Sequence, residues 1–170
     1  MKDNNVSHSK SRQQISILSP KQIQLNDKGI NYTNKPFTIS GDQERVSIPL
    51  LLEAKQLDTN KIELIFDRPF DTVSATNISH YWLQSNEQIP TGVASLGINE
   101  EPNVTNSLSP QNAWVQSFYF TKTTLVLIFK RRLTTCIQYR VLPWFINAEG
   151  KYGYNGPNYT ELSKNTFIAR

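Results

Sequence analysis

Residues 61–84 read Lys61-Ile-Glu-Leu-Ile-Phe-Asp-Arg-Pro-Phe-Asp-Thr-Val-Ser-Ala-Thr-Asn-Ile-Ser-His-Tyr-Trp-Leu-Gln84. Ile62, Leu64 and Phe66 share one side of an extended chain and Glu63 the other, the period-two pattern of a half-buried strand. An Asp-Arg-Pro turn stops that strand, and Asp71 and Thr72 are placed to cap a single helical turn. A connection rich in Ser, Thr and Asn then leads into a second strand at Tyr81. This is the grammar of a small antiparallel β-sandwich, a fold that more often holds partners than transforms them.

The same grammar extends outward. Residues 48–57 are apolar enough for a strand, and Asp58-Thr-Asn60 is a short polar loop that makes a hairpin with the strand at Lys61. Beyond Gln84, residues 97–112 form a long polar stretch read as loop. Residues 114–120 and 124–129 read as strands. The latter is apolar on both faces, as an inner strand is. Residues 137–146 alternate, assigning Tyr139, Val141 and Phe145 to the core face and Arg140 and Trp144 to the other. Residues 148–157 are Gly- and Asn-rich turn, and residues 166–169 supply a closing strand. About seven short strands at near-regular spacing specify an all-β sandwich. The chain lacks the Cys…Trp…Cys pattern of antibody domains.

With 170 residues, 38% hydrophobic and 19% charged, the chain suffices for one domain plus an extension. Residues 1–14 are polar and aperiodic. Strand-like pieces at 15–18, 22–25 and 37–40 are separated by Ser19-Pro20, Asn26-Asp-Lys-Gly29 and Gly41-Asp42, without the apolar density for a core. The expected division is an extended N-terminal arm over residues 1–45 and a sandwich domain over residues 46–170. An extended segment with unpaired backbone groups tends to add to a sheet edge.

The net charge of +4 is dispersed apart from Lys130-Arg131-Arg132, which argues for solubility rather than nucleic-acid binding. Cys136 is the single cysteine. That excludes an internal disulfide and a Cys-based zinc site, and among Thr135, Ile137 and Tyr139 it reads as a small core thiol. Residues 1–20 have no apolar signal core, and no apolar run reaches transmembrane length. The chain is expected to be made without a secretory signal, exported by another route, or cut from a larger surface protein.

Catalysis finds few candidates. His8 lies in the polar tail. His80 is within sequence reach of Asp67 and Asp71 but sits where a structural histidine is expected. Glu100-Glu101 reads as a solvated loop pair, and Asp67 and Asp71 as turn-formers whose carboxylates bond backbone N–H groups. No catalytic residue is assigned. No cofactor is expected. Calcium is the one ion the loop oxygens of Asp67, Asp71 and Asn77 suit, although an Asp-x-Asp-x-Asp-Gly loop is missing. The Asn-x-Ser/Thr sequons at Asn31, Asn77, Asn103 and Asn158 are chance matches in an Asn-rich chain. Aromatic residues suggest a binding surface: Arg140, Trp144, Tyr152 and Tyr154 are the candidate patch, while Trp82 reads as core.

Three segments carry a resemblance. The first is Ile62-Glu-Leu-Ile-Phe-Asp-Arg-Pro-Phe-Asp71. The second is Ser74-Ala-Thr-Asn77 followed by Tyr81-Trp-Leu83. The third is the strand at 125–133, then Thr135-Cys-Ile-Gln-Tyr-Arg-Val141 and the Asn147-Ala-Glu-Gly150 turn. Together, over residues 46–170, the chain resembles the bacterial Ig-like domains repeated in S-layer proteins and large Gram-positive surface proteins. The stretch 97–112 is longer than in such repeats. The resemblance implies an Ig-like β-sandwich and a non-catalytic structural or adhesive module of a cell-surface or extracellular assembly. The partners it implies are other proteins or copies of the same chain, and the coreless strand-like pieces of residues 15–45 suggest that the N-terminal arm makes the contact. The alternatives are a module binding cell-wall or other polysaccharide or an anionic polymer through the aromatic and basic patch, and a virion or spore-surface component.

Overall fold

The computed structural model describes residues 47–117 and 121–170, all within one compact unit, Glu44–Arg170. Seven strands occur among these residues: β1 (Leu51–Asp58), β2 (Lys61–Phe66), β3 (Tyr81–Ser85), β4 (Ala113–Ser117), β5 (Thr124–Phe129), β6 (Gln138–Pro143) and β7 (Thr166–Ile168). A short helix, α1 (Thr72–Thr76), and a 3-10 turn, Ile78–His80, lie between β2 and β3. The strands form a four-stranded sheet ordered β1-β2-β5-β4 and a three-stranded sheet ordered β3-β6-β7, every ladder antiparallel. The residues 1–46, which include the arm, lie outside the described residues.

The two sheets close on one core. Leu51, Ile62, Leu64, Leu125 and Leu127 from the larger sheet meet Tyr81, Leu83, Tyr139 and Val141 from the smaller. Each fully buried aliphatic side chain of this kind contributes about 1.5–3 kcal/mol. The alternation of Ile62, Leu64 and Phe66 puts all three into that core, with Lys61, Glu63 and Ile65 half-buried outside. β5 is the inner strand its sequence implies. Leu125, Leu127 and Phe129 belong to the core, while Val126 and Ile128 are buried on the far side of the sheet. There the register sets Glu63 and Gln116 beside Val126, and Lys61 and Trp114 beside Ile128.

Phe145 departs from the alternation, and Cys136 from its expected place in the core. β6 ends at Pro143, and Phe145 has φ 61. A bulky residue in the left-handed region reverses the expected facing. Phe145 therefore leaves the side of Tyr139 and Val141 and packs with Trp82 and Trp144. Cys136, expected in the core, is exposed and also left-handed, with φ 66, in the turn before β6.

The polar stretch 97–112 is loop, as expected, but it is anchored. Leu108 donates its N–H to the Tyr81 carbonyl at 2.8 Å, and its side chain enters the core. Just before it, Ser95 donates to Leu83 O at 2.8 Å and Ser85 to Leu96 O at 2.9 Å, covering the outer edge of β3.

Candidate functional site

The corner between β2 and β3 holds the acids and the histidine. Asp67 Oδ1 accepts the Leu50 N–H at 2.8 Å, and its Oδ2 accepts Arg68 Nη2 at 2.6 Å and Nε at 2.9 Å. Partial burial works to raise the Asp67 pKa. The Arg68 hydrogen bonds, the Leu50 amide and the Arg68 charge outweigh it and hold the carboxyl below the usual carboxylate range. Asp71 caps α1, its Oδ2 accepting the Ser74 N–H at 2.8 Å. Asn77 caps the following 3-10 turn, its Oδ1 accepting from Ser79 N at 3.2 Å and Ser79 Oγ at 2.7 Å. His80 places Nδ1 2.8 Å from the Ser74 carbonyl and Nε2 3.0 Å from Asn77 Nδ2. Nδ1–H is then the donor, and Nε2 accepts from the Asn77 amide.

Each candidate calcium ligand thus turns its oxygen to a different backbone N–H. Among the described residues, no three His, Cys, Asp or Glu side chains gather as a metal set. Glu100 is exposed, and its Oε2 accepts the Gly97 N–H at 2.7 Å and clamps the loop.

Trp82, Trp144, Phe145 and Tyr159 gather on the outer face of the smaller sheet. Trp82 is buried there, with Nε1 donating to Asn103 O at 3.0 Å and Asn106 Oδ1 at 2.8 Å. The loop 97–112 is therefore a cover over this tryptophan. Trp82 meets Trp144 edge-on at 6.2 Å, and Trp144 meets Phe145 at 5.7 Å. Trp144 is half-buried, and its Nε1 is buried with no hydrogen-bond partner among the described residues. Tyr159 packs against this cluster and the main core together, and the Arg140 guanidinium lies 5.8 Å from its ring centroid.

Of the candidate patch, Arg140 lies over Tyr159, and Trp144 packs with Tyr159 against the same Trp82 cluster. Tyr152 stands 85% exposed on the following loop. Tyr154 braces that loop, its hydroxyl donating to Pro157 O at 2.7 Å and its N–H to Asn147 Oδ1 at 2.9 Å. The link residue, Tyr159, was not singled out in the sequence, and its pairing with Arg140 carries no local signal. Asn158, one of the sequons, is fully buried, with both ends of its amide engaged.

One further feature escapes sequence reading. β1 and β7, in different sheets, face each other across a seam. A parallel bridge joins Glu53 to Lys164, with Ala54 N–H on Lys164 O at 2.8 Å and Lys164 N–H on Leu52 O at 2.9 Å. Beyond it the Gln56 carboxamide crosses the gap, accepting the Arg170 N–H at 2.8 Å and donating to Arg170 O at 3.2 Å.

No family model matches the chain, and no curated protein matches it. Solved structures similar to it include three of S-layer proteins. The N-terminal part of the bacterial S-layer protein SbsC has a TM-score of 0.46 and 12% identity, over 66% of this chain and 23% of that one. Domains 1–6 of the surface layer protein SbsC give 0.44 and 12%, over 72% and 14%. The S-layer protein rSbsC(31-844) gives 0.43 and 13%, over 72% and 14%. The chain spans less than a quarter of the length of each. By its own two antiparallel sheets the chain is a β-sandwich.

Proposed function

We propose that this chain is a non-catalytic building block of a bacterial surface or extracellular assembly, and that its copies associate through residues 1–45. The observation that carries the non-catalytic part is how the polar side chains are used. Asp67, Asp71, Asn77, His80 and Glu100, the groups from which a reactive site would be drawn, are each bonded to loop and helix-end backbone or to one another. Catalysis requires such groups to converge on a shared substrate position. Here they diverge into separate turns.

The association part is supported by strand-like pieces without a core in residues 1–45 and by a β1–β7 side that, beyond the Glu53–Lys164 bridge, is closed by the Gln56 side chain rather than a ladder. Exposed strand edges are natural acceptors for an added strand. Sedimentation of the full chain across a concentration series tests the reading: mass should rise with concentration, and a monomer at every concentration overturns it. Polysaccharide recognition by the Arg140–Trp144 surface has weaker support, because Trp144 and Tyr154 are engaged in packing and loop bracing. Binding to cell-wall polysaccharide that Trp144→Ala abolishes without loss of stability would favour it instead.

A further inference from the structure

We propose that the open part of the β1–β7 seam receives residues 22–25, Gln22-Ile-Gln-Leu25, of a second copy as an added strand; this rests on the self-association reading above. The seam diverges past Ala54 into a groove of about 700 Å³ whose walls include Gln56, Leu57, Asp58, Phe167, Ile168 and Arg170. Ala54 directs its N–H outward to Lys164, so Gln56, two residues on, directs its backbone groups the same way. On β7, Val141 donates to Asn165 O and Ala169 to Ile137 O. Residues 165, 167 and 169 therefore face β6, and Thr166 and Ile168 face the seam. Among the described residues, no ladder takes the outward groups of Gln56, Thr166 or Ile168.

The slot has the chemistry of a missing strand. Gln56 gives Arg170 one donor and one acceptor, the exchange a neighbouring backbone would make, across a gap wider than the ladder spacing of about 4.8 Å. Leu57 and Ile168, 53% and 61% exposed, stand on opposite walls, with Phe167 packed toward the core between them. An occupant with apolar side chains on one face and amides on the other fits. The other outer edges are less open: residues 95–96 cover β3, and α1 packs beside β4.

Residues 22–25 match in pattern, with Ile23 and Leu25 on one face and Gln22 and Gln24 on the other. Pro20 and the Asn26-Asp-Lys-Gly29 turn bound them on either side. Reach separates them from the other pieces. Residues 26–46, extended, span about 70 Å, against a diameter of about 35 Å for a unit of this size. Residues 41–46 span only about 20 Å, too short for residues 37–40 to cross to a neighbour. In residues 15–18 the adjacent Ile17 and Leu18 break the alternation.

The test uses full-length chains in a Cys136→Ser background. Chains carrying Ile23→Cys are mixed with chains carrying Ile168→Cys under mild oxidation, and in parallel with chains carrying Gln116→Cys on β4. The expected result is a disulfide-linked pair through residue 168, at least tenfold more abundant than through residue 116. In the otherwise native chain, Ile168→Lys should raise the concentration needed for assembly at least tenfold while leaving the melting temperature unchanged. Assembly that persists with no preference for residue 168 and no effect of Ile168→Lys overturns the seam as acceptor and leaves self-association standing. A chain that never assembles overturns both.

Discussion

The Asn158 side chain holds both backbone groups of Ile146, its Oδ1 accepting the Ile146 N–H at 2.8 Å and its Nδ2 donating to the Ile146 carbonyl at 2.9 Å. The same Nδ2 donates to the Pro49 carbonyl at 2.9 Å, and the Asn158 carbonyl accepts the Leu51 N–H at 2.7 Å. One buried amide therefore ties the start of β1 to the chain leaving β6.

Asn158→Ala strips that amide and leaves the Ile146 N–H and carbonyl buried without partners. A buried group left unsatisfied costs about 1–3 kcal/mol, so the variant should lose about 3 kcal/mol in urea unfolding. A loss below about 1 kcal/mol would show that water replaces the amide.

Asp71 caps α1 through one charge-assisted bond to the Ser74 N–H. Asp71→Ala should cost about 1 kcal/mol, and Asp71→Asn, an equally good cap, only a few tenths. Thermal melts of the two variants separate capping from any role that needs the charge, for which Asn would be as damaging as Ala.

Asp67 gives a pH signature. Its folded pKa is lowered, so its contribution is present above the unfolded carboxylate value of about 3.9 and is lost as pH falls through the lower folded value. Asp67→Asn keeps an acceptor for the Leu50 N–H but loses the Arg68 ion pair. The stability gap between wild type and variant should be constant above about pH 4 and shrink below it. Added salt should narrow the gap, since the pair is partly solvent-exposed. A gap that widens in acid contradicts the assignment.

Asn106 holds the cover over Trp82, accepting the indole N–H and, at 2.8 Å, the Asn103 N–H. Asn106→Ala should cost about 1 kcal/mol. Limited proteolysis should cut residues 97–112 faster, and tryptophan emission should shift to the red. Unchanged proteolysis would mean the cover is held elsewhere.

How much of this was legible in the sequence depends on the range of each interaction. The strand at Ile62, the buried inner strand from Leu125 and the cap at Asp71 rest on spacings of two to four residues, and each stands where the pattern placed it. A positive φ without glycine leaves no mark in the sequence: at Phe145 it breaks the alternation, and at Cys136 it turns a small hydrophobe read as core out to solvent. The cover over Trp82 hangs on Asn103 and Asn106, more than twenty positions away. Gln56 and Asn158 bond residues more than a hundred positions distant, and nothing local distinguishes them from surface amides. Arg140 and Trp144 alternate onto one face of β6 and its continuation, as read. Tyr159, which takes the Arg140 guanidinium and packs on the Trp82 cluster with Trp144, comes from a distant loop.

The central claim, a structural module assembling through its N-terminal residues, is tested most directly by sedimentation velocity. The full chain and residues 46–170 would be run over the same concentration range, with circular dichroism to report folding. The account predicts concentration-dependent assembly of the full chain and a folded, monomeric shorter chain. A full chain that stays monomeric, or a shorter chain that assembles equally well, would contradict it.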